Sequence, residues 1–333
     1  MNIRCPQRIV FALLLVAPAA QLPAQGAAST AVPLPAGIVT PAAAPMILGV
    51  VSAGTPVELI ADGFEAVEGP LPQLDDGLLF TNNRMNRVMR LAPDGRLSVW
   101  YEGLGGPNAL TRTPEGDIVA TLTESKFIGV LQPGQPPRPL ASGFEGKPFN
   151  RPNDLVADSR GNIYFTDTAG PTANGASSLP PAVYQITRKR EVVRIVQGIE
   201  TPNGVALSPD ERTLYVANTA GEGILAVALD RDGDARKARQ FARLAMPPPP
   251  ANGAISSGAD GLAVDEKGRL YVATTLGVQV FSDKGEALGI ITLPKAPQNL
   301  AFSGPGRHSL FVVGRGSVYR IQMLTRGPQR TGK

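Results

Sequence analysis

Residues 150–167 read NRPNDLVADSRGNIYFTD, and this phrase decides the fold. Pro152 and two short polar residues, Asn153 and Asp154, lead into the aliphatic run Leu155-Val156-Ala157. Ser159-Arg160-Gly161 then reverses the chain into a second apolar run, Ile163-Tyr164-Phe165. Short apolar runs joined by a Ser/Gly turn are the signature of two antiparallel strands and their hairpin.

The phrase returns along the chain. Pro107-Asn108-Ala109-Leu110 precedes Asp117-Ile118-Val119-Ala120, and Pro202-Asn203-Gly204-Val205 precedes Thr213-Leu214-Tyr215-Val216. Ala259-Asp260-Gly261-Leu262 precedes Arg269-Leu270-Tyr271-Val272. Two weaker copies are Glu68-Gly69-Pro70 before Leu78-Leu79-Phe80-Thr81, and Pro297-Gln298-Asn299-Leu300 before Ser309-Leu310-Phe311-Val312. The anchors Glu68, Asn108, Asn153, Asn203, Asp260 and Gln298 are 40, 45, 50, 57 and 38 residues apart. Each interval holds four short strands with their turns, which is the period of a propeller blade. Third and fourth strands are visible in several copies, as in Val183–Ile186 and Val192–Ile195.

The expected fold is therefore all-β, a six-bladed β-propeller over residues 55–324. The last copy supplies only three strands, ending at Val318-Tyr319-Arg320-Ile321, while Pro56-Val57-Glu58-Leu59-Ile60 stands unassigned before the first anchor. Pairing that N-terminal strand into the last blade closes the ring and removes an exposed sheet edge.

Composition agrees. The 333 residues include 37 Gly and 32 Pro, about a fifth of the chain, with an ordinary apolar share of 43%. That describes a globular chain broken by many turns, not a disordered one. The net charge of +4 comes from the two ends: Arg4 and Arg8 at the start, and Arg326, Arg330 and Lys333 in a basic tail over 325–333. The body between them is close to neutral, so nucleic acid is not an expected partner. Residues 1–26 have a charged stub, an apolar run from Ile9 to Ala20 too short to span a bilayer, and small residues around Ala24. This is the form of a secretory signal peptide, giving a periplasmic or secreted protein with no membrane attachment after cleavage. The only cysteine, Cys5, lies before the apolar run and leaves with it, so thiol and disulfide chemistry are excluded. Residues 27–54, rich in Ala and Pro, read as an extended tether.

In a propeller the first strand of each blade lines the central channel, so residues at one phase of successive copies converge on the axis. Glu68, Asn153, Asn203 and Asp260 would then offer two carboxylates and two amide oxygens. A hard, all-oxygen set suits one divalent cation: Ca²⁺ first, or Mg²⁺ and Mn²⁺ with retained waters, with Zn²⁺ on oxygen ligands left open. Burying two carboxylates unpaired is costly, and a cation removes that cost. Asn108, the remaining asparagine anchor, is expected to face a substrate. The lone His308 sits in a turn of the last copy, away from the anchors, and no catalytic part is expected of it.

Glu68-Gly69-Pro70, then Asn150 to Asp154, then Pro202-Asn203-Gly204 with Ser208-Pro209-Asp210, then Asp260-Gly261 with Asp265, closely resemble the regucalcin/gluconolactonase family of six-bladed propellers. The resemblance runs in unbroken order from Thr55 to Leu324. It implies one catalytic divalent cation held by Glu68, Asn203 and Asp260, with Asn153 a further ligand or a water-mediated neighbour. It also implies that Arg151 contacts substrate and that Asp154 lies beside the metal. The implied activity is hydrolysis of a sugar-type or other small lactone by metal-activated water, with Asp260 or Asp154 as general base. Two alternatives stand: a non-catalytic, calcium-stabilised binding propeller, and a phosphotriesterase using the same ion. Two rim segments depart from the family pattern, Ala120 to Lys126 and the Ala/Ser/Pro-rich insertion from Thr168 to Pro181, so the sequence leaves the substrate open. Oligomeric state is likewise not fixed.

Overall fold

The computed structural model describes residues 42–169, 179–249, 255–329 and 332. Six four-stranded antiparallel sheets form the blades of a propeller, and among the described residues the only helical segments are two three-residue 3-10 turns. Blade 1 comprises Val67–Pro72, Leu78–Asn82, Arg87–Leu91 and Leu97–Glu102; blade 2 comprises Pro107–Arg112, Ile118–Leu122, Phe127–Leu131 and Arg138–Ala141. Blade 3 is built from Pro152–Ala157, Ile163–Asp167, Ala182–Ile186 and Val192–Gln197, and blade 4 from Pro202–Leu207, Thr213–Asn218, Gly223–Leu229 and Ala235–Arg243. Blade 5 takes Leu262–Val264, Leu270–Thr274, Gly277–Phe281 and Ala287–Ile291. Blade 6 takes Asn299–Ser303, Ser309–Gly314 and Ser317–Gln322, and its outer strand is the N-terminal Val57–Ala61, as the strand count requires. Val57 pairs with Ile321 and Leu59 with Tyr319.

The inner strands touch in cyclic order, each against the next and the sixth against the first. Between each neighbouring pair of blades lies one of six apolar clusters: Leu71 and Leu79 meet Leu110 and Ile118, for example, and Val156 and Tyr164 meet Val205 and Leu214. The second strands are buried on both faces because a sheet packs on either side, which is why they read as unbroken apolar runs. The fourth strands are only partly buried, each with residues exposed to water.

The turn from first to second strand has a local cause. Asp158 Oδ1 accepts from the N–H groups of Arg160 and Asn162, both at 2.9 Å, and Asp265 Oδ1 does the same for Lys267 (2.9 Å) and Arg269 (3.0 Å). The second oxygen of Asp265 takes the hydroxyl of Tyr271, six residues on, at 3.0 Å; the Tyr164 hydroxyl lies 3.2 Å from Asp158 Oδ2 but bonds Gly233 O more closely, at 2.7 Å. An aspartate that satisfies its own hairpin and a buried phenol fixes the turn.

Two expected boundaries move. Within the stretch read as a tether, residues 42–54 fold onto the ring: Ala44, Ile47, Val50 and Val51 are buried in the cluster between blades 5 and 6. Met46-Ile47-Leu48-Gly49-Val50-Val51 carries enough apolar surface to dock, which the Ala/Pro composition of the surrounding stretch conceals. The start of the tail docks as well. Thr325, Gly327 and Pro328 are buried; Thr325 Oγ1 donates to Asp265 Oδ2 (3.1 Å), and Arg326 pairs with Glu266 (2.6 Å). A short hairpin, Gly143–Phe144 with Lys147–Pro148, precedes blade 3 and has no counterpart in the repeated phrase. The expected signal peptide, residues 27–41 and most of the rim insertion lie outside the described residues.

Candidate active site

Each anchor sits where the chain enters an inner strand. In blades 1 to 4 the ladder slips there, between Glu68 and Leu71, Pro107 and Leu110, Pro152 and Leu155, and Pro202 and Val205. A bulge at that position re-aims a side chain out of the sheet. Asp260 and Gln298 stand just ahead of the regular strands of blades 5 and 6.

Backbone and side-chain bonds tie the anchors into a ring, one junction per pair of blades. Thr81 Oγ1 donates to Asn108 O (2.8 Å), Thr121 Oγ1 to Asn153 O (2.6 Å) and Thr166 Oγ1 to Asn203 O (2.7 Å). Thr219 Oγ1 donates to Ala259 O (2.7 Å), and the N–H of Gly261 donates to Gln298 O (2.7 Å). Gln298 Nε2 closes the circle on Glu68 Oε1 (3.1 Å). The strands approach so closely that a Cβ on Gly204 would lie 2.0 Å from Asp260 O, and one on Gly261 would lie 2.1 Å from the amide of Asn299. Only glycine fits behind the anchors there.

The side chains sort into three groups. Glu68 is buried, with Oε1 held by Gln298 and Oε2 by Asn299 Nδ2 (3.1 Å). Asn83, Asn108 and Asn153 form an amide chain: Asn83 Nδ2 donates to Asn108 Oδ1 (3.3 Å), and Asn108 Nδ2 to Asn153 Oδ1 (2.9 Å). Backbone carbonyls fix its polarity, because Asn83 Nδ2 also donates to Pro107 O and Asn108 Nδ2 to Asn153 O. Asn203 donates through Nδ2 to Thr219 Oγ1 (2.9 Å), and its Oδ1 is buried with no hydrogen-bond donor among the described residues. Asp260 is half-buried, its backbone N–H bonded to Ala273 O (2.9 Å).

Asp154 is placed differently. It is wholly buried, with Oδ1 accepting from Leu155 N (2.9 Å) and Oδ2 from Val205 N of blade 4 (3.1 Å). Arg151 is exposed on the loop that enters blade 3, and that loop is held from below by Asp167. Asp167 accepts from Asn150 N (2.9 Å) and Arg151 N (2.6 Å) while fully buried. Burial pushes its carboxyl up to about 6, against the two backbone bonds and the Lys126 charge that favour the ionised form. His308 lies at the docked tail, Nδ1 beside Thr325 O (3.1 Å).

Asn83, Thr219, Asn299 and Asp167 were not anticipated as parts of the site. Asn299 could have been found, since it follows Gln298 as Asp154 follows Asn153. Thr81, Thr121 and Thr166 also share one phase. Thr219 lies outside that phase, where Ala217 stands, and only the fold brings it to Asn203.

The donor set fits a hard cation. Among the described residues no three His, Cys, Asp or Glu side chains gather into a cluster, so a cation at the axis must draw on amide and water oxygens beside the carboxylates. A buried amide oxygen without a donor is a costly state that such an ion relieves.

Comparison with known proteins agrees with this architecture. Residues 67–315 match the model of the SMP-30/gluconolactonase/LRE-like region. A gluconolactonase of Zymomonas mobilis is 28% identical over 309 residues, covering 85% of each chain. The lactonase drp35 of Staphylococcus aureus is 30% identical over 272 residues, covering 75% of this chain and 74% of its own. The solved structure of a gluconolactonase from Xanthomonas campestris, 26% identical, superposes with a TM-score of 0.74 over 88% of this chain and 98% of its own. On the length of the match and the six blades that bear it out, the chain belongs to the SMP-30/gluconolactonase/LRE-like family.

Proposed function

We propose that this protein hydrolyses a small, sugar-type lactone with the help of one divalent cation. The observation that carries the cation is Asn203 Oδ1, buried without a donor in the same ring of anchors as Glu68 and Asp260. The lactone-hydrolysing relatives support the substrate class. Glu68, Asn203 and Asp260 would hold the ion, with Asn153 the weaker fourth donor because one lone pair of its Oδ1 is already given to Asn108. Ca²⁺ suits this set best. When bound, it supplies Lewis-acid polarisation of the carbonyl and a lower pKa for nearby water.

The chain's own groups do the rest. Asp260, half-exposed where Asp154 is fully enclosed, takes the proton of the water that attacks the lactone carbonyl. As the ring C–O bond breaks, that proton passes to the leaving ring oxygen, and the product is a hydroxy acid. Asp154, with both oxygens on backbone N–H groups, ties blade 3 to blade 4 and holds Asn153 and Asn203 in place. Arg151 at the mouth orients the substrate's polar groups, and Asn108 steadies Asn153. The charged stub and apolar run of residues 1–26 support export, and with it action in the periplasm or outside the cell.

The test is a screen of the mature protein against aldonolactones. Turnover should vanish with EDTA and return with Ca²⁺, Mn²⁺, Mg²⁺ or Zn²⁺. Activity indifferent to EDTA would remove the cation from the reaction. Stabilisation by Ca²⁺ with no lactone turned over would favour a binding propeller.

A further inference from the structure

Asn203 can present either end of its amide to the axis, and nothing in its own chemistry decides which. Thr219 does. Its hydroxyl has one hydrogen, which is committed to Ala259 O at 2.7 Å, so toward Asn203 the oxygen can only accept. The partner at 2.9 Å must therefore be the N–H end of the amide, and Oδ1 is left facing away, buried and without a donor. Thr219 is itself fixed: its N–H donates to Thr201 O (3.0 Å), and its carbonyl accepts from Ser256 Oγ (2.6 Å) and Ser257 Oγ (3.3 Å).

We propose that Thr219 is a positioning residue, which turns the oxygen end of Asn203 toward the axis and thereby sets the affinity of the site for a divalent cation. This rests on the proposed role of Asn203 as an oxygen donor. Asn153 shows the opposite assignment on the same ring, since the N–H of Asn108 consumes one lone pair of its Oδ1. The direction of single hydrogen bonds thus sorts the amides into an open oxygen on blade 4 and a partly used one on blade 3.

Thr219→Val keeps the shape and removes the hydroxyl. It leaves a buried N–H of Asn203 without an acceptor and frees the amide to turn. Net hydrogen-bond energies near 1 kcal/mol translate into a loss of cation affinity of about fivefold. Ca²⁺ titration calorimetry on EDTA-stripped mature protein should give this loss for T219V, and affinity within about twofold of the parent for T219S. In an N203D background either end of the side chain is an oxygen, so adding T219V should cost nothing further, a cycle that a general loosening of blades 4 and 5 would not reproduce. Melting temperatures in EDTA check that the variants fold, and T219A replaces T219V if the valine is not accommodated. Parent-like affinity in T219V and T219A, an equal loss in T219S, or the same loss in the N203D background would each overturn the proposal. If the parent protein binds none of Ca²⁺, Mg²⁺, Mn²⁺ and Zn²⁺, the reading of Asn203 as a cation donor fails first, and the role of Thr219 with it.

Discussion

Asp167 makes a prediction whose sign and size follow from its surroundings. It is fully buried at the end of the second strand of blade 3, and its carboxyl is pushed up to about 6 from an ordinary value of 3.8. The folded chain therefore holds this proton more tightly than the unfolded chain does. Between about pH 4 and pH 6 the native state binds more protons, so the contribution of Asp167 to stability is fully present below pH 4 and is lost as pH rises through 6. A difference of roughly two units, at about 1.4 kcal/mol each, makes the swing about 3 kcal/mol. Asp167→Asn cannot titrate. The parent and D167N should be unfolded in urea at intervals from pH 4 to pH 7, and the stability of the parent relative to D167N should fall by about that amount over the window. Other carboxylates cancel in the difference. There is a functional consequence in the opposite sense. Below pH 6 one of the two oxygens carries the proton, so one of the two acceptors that hold Asn150 N and Arg151 N is weakened, and the loop carrying Arg151 loosens. Lactone turnover should lose an acid limb near pH 6 in D167N that the parent shows. A stability difference that does not change with pH would refute the reasoning.

Asp260→Asn and Asn203→Ala should each lower lactone turnover by at least about a hundredfold with the β-sheet circular dichroism unchanged, since each removes part of the charge stabilisation at the axis and neither fills the core. Near-parental turnover in cation-loaded D260N would count against Asp260 as the base. Ile47→Ala should destabilise the fold by about 2–4 kcal/mol in urea, because Ile47 is buried between blades 5 and 6; a loss below about 0.5 kcal/mol would mean that residues 42–54 do not dock in solution.

The blades were legible because each copy of the phrase carries its own hairpin and its own apolar runs, so local patterning and ring position say the same thing. Even the pairing of Val57–Ala61 with Ser317–Gln322 follows from counting three strands where four are needed. What escaped is held by tertiary contact alone. Ile47, Val50 and Val51 sit in a stretch whose average composition describes a tether, and Thr325 finds Asp265 across 60 residues. In the site, phase identified the anchors, since residues at one phase meet at the axis. It could not say which anchor uses its oxygen and which its N–H, because that is decided by Asn108 across blades 2 and 3 and by Thr219 just past the second strand of blade 4. Phase sets Asp154 one residue past the anchor Asn153, but it could not show that Leu155 N and Val205 N enclose its carboxylate while Asp260 stays half-exposed.

The most direct test of the central claim is a crystal structure of the mature protein grown with Mn²⁺ or Ca²⁺, with anomalous differences collected to locate the ion. One peak on the axis, within about 2.1–2.6 Å of Glu68, Asn203 Oδ1 and Asp260 oxygens, is the result this structure leads to. A peak elsewhere, or an axis at which Asn203 turns its nitrogen inward and no ion binds, would contradict it.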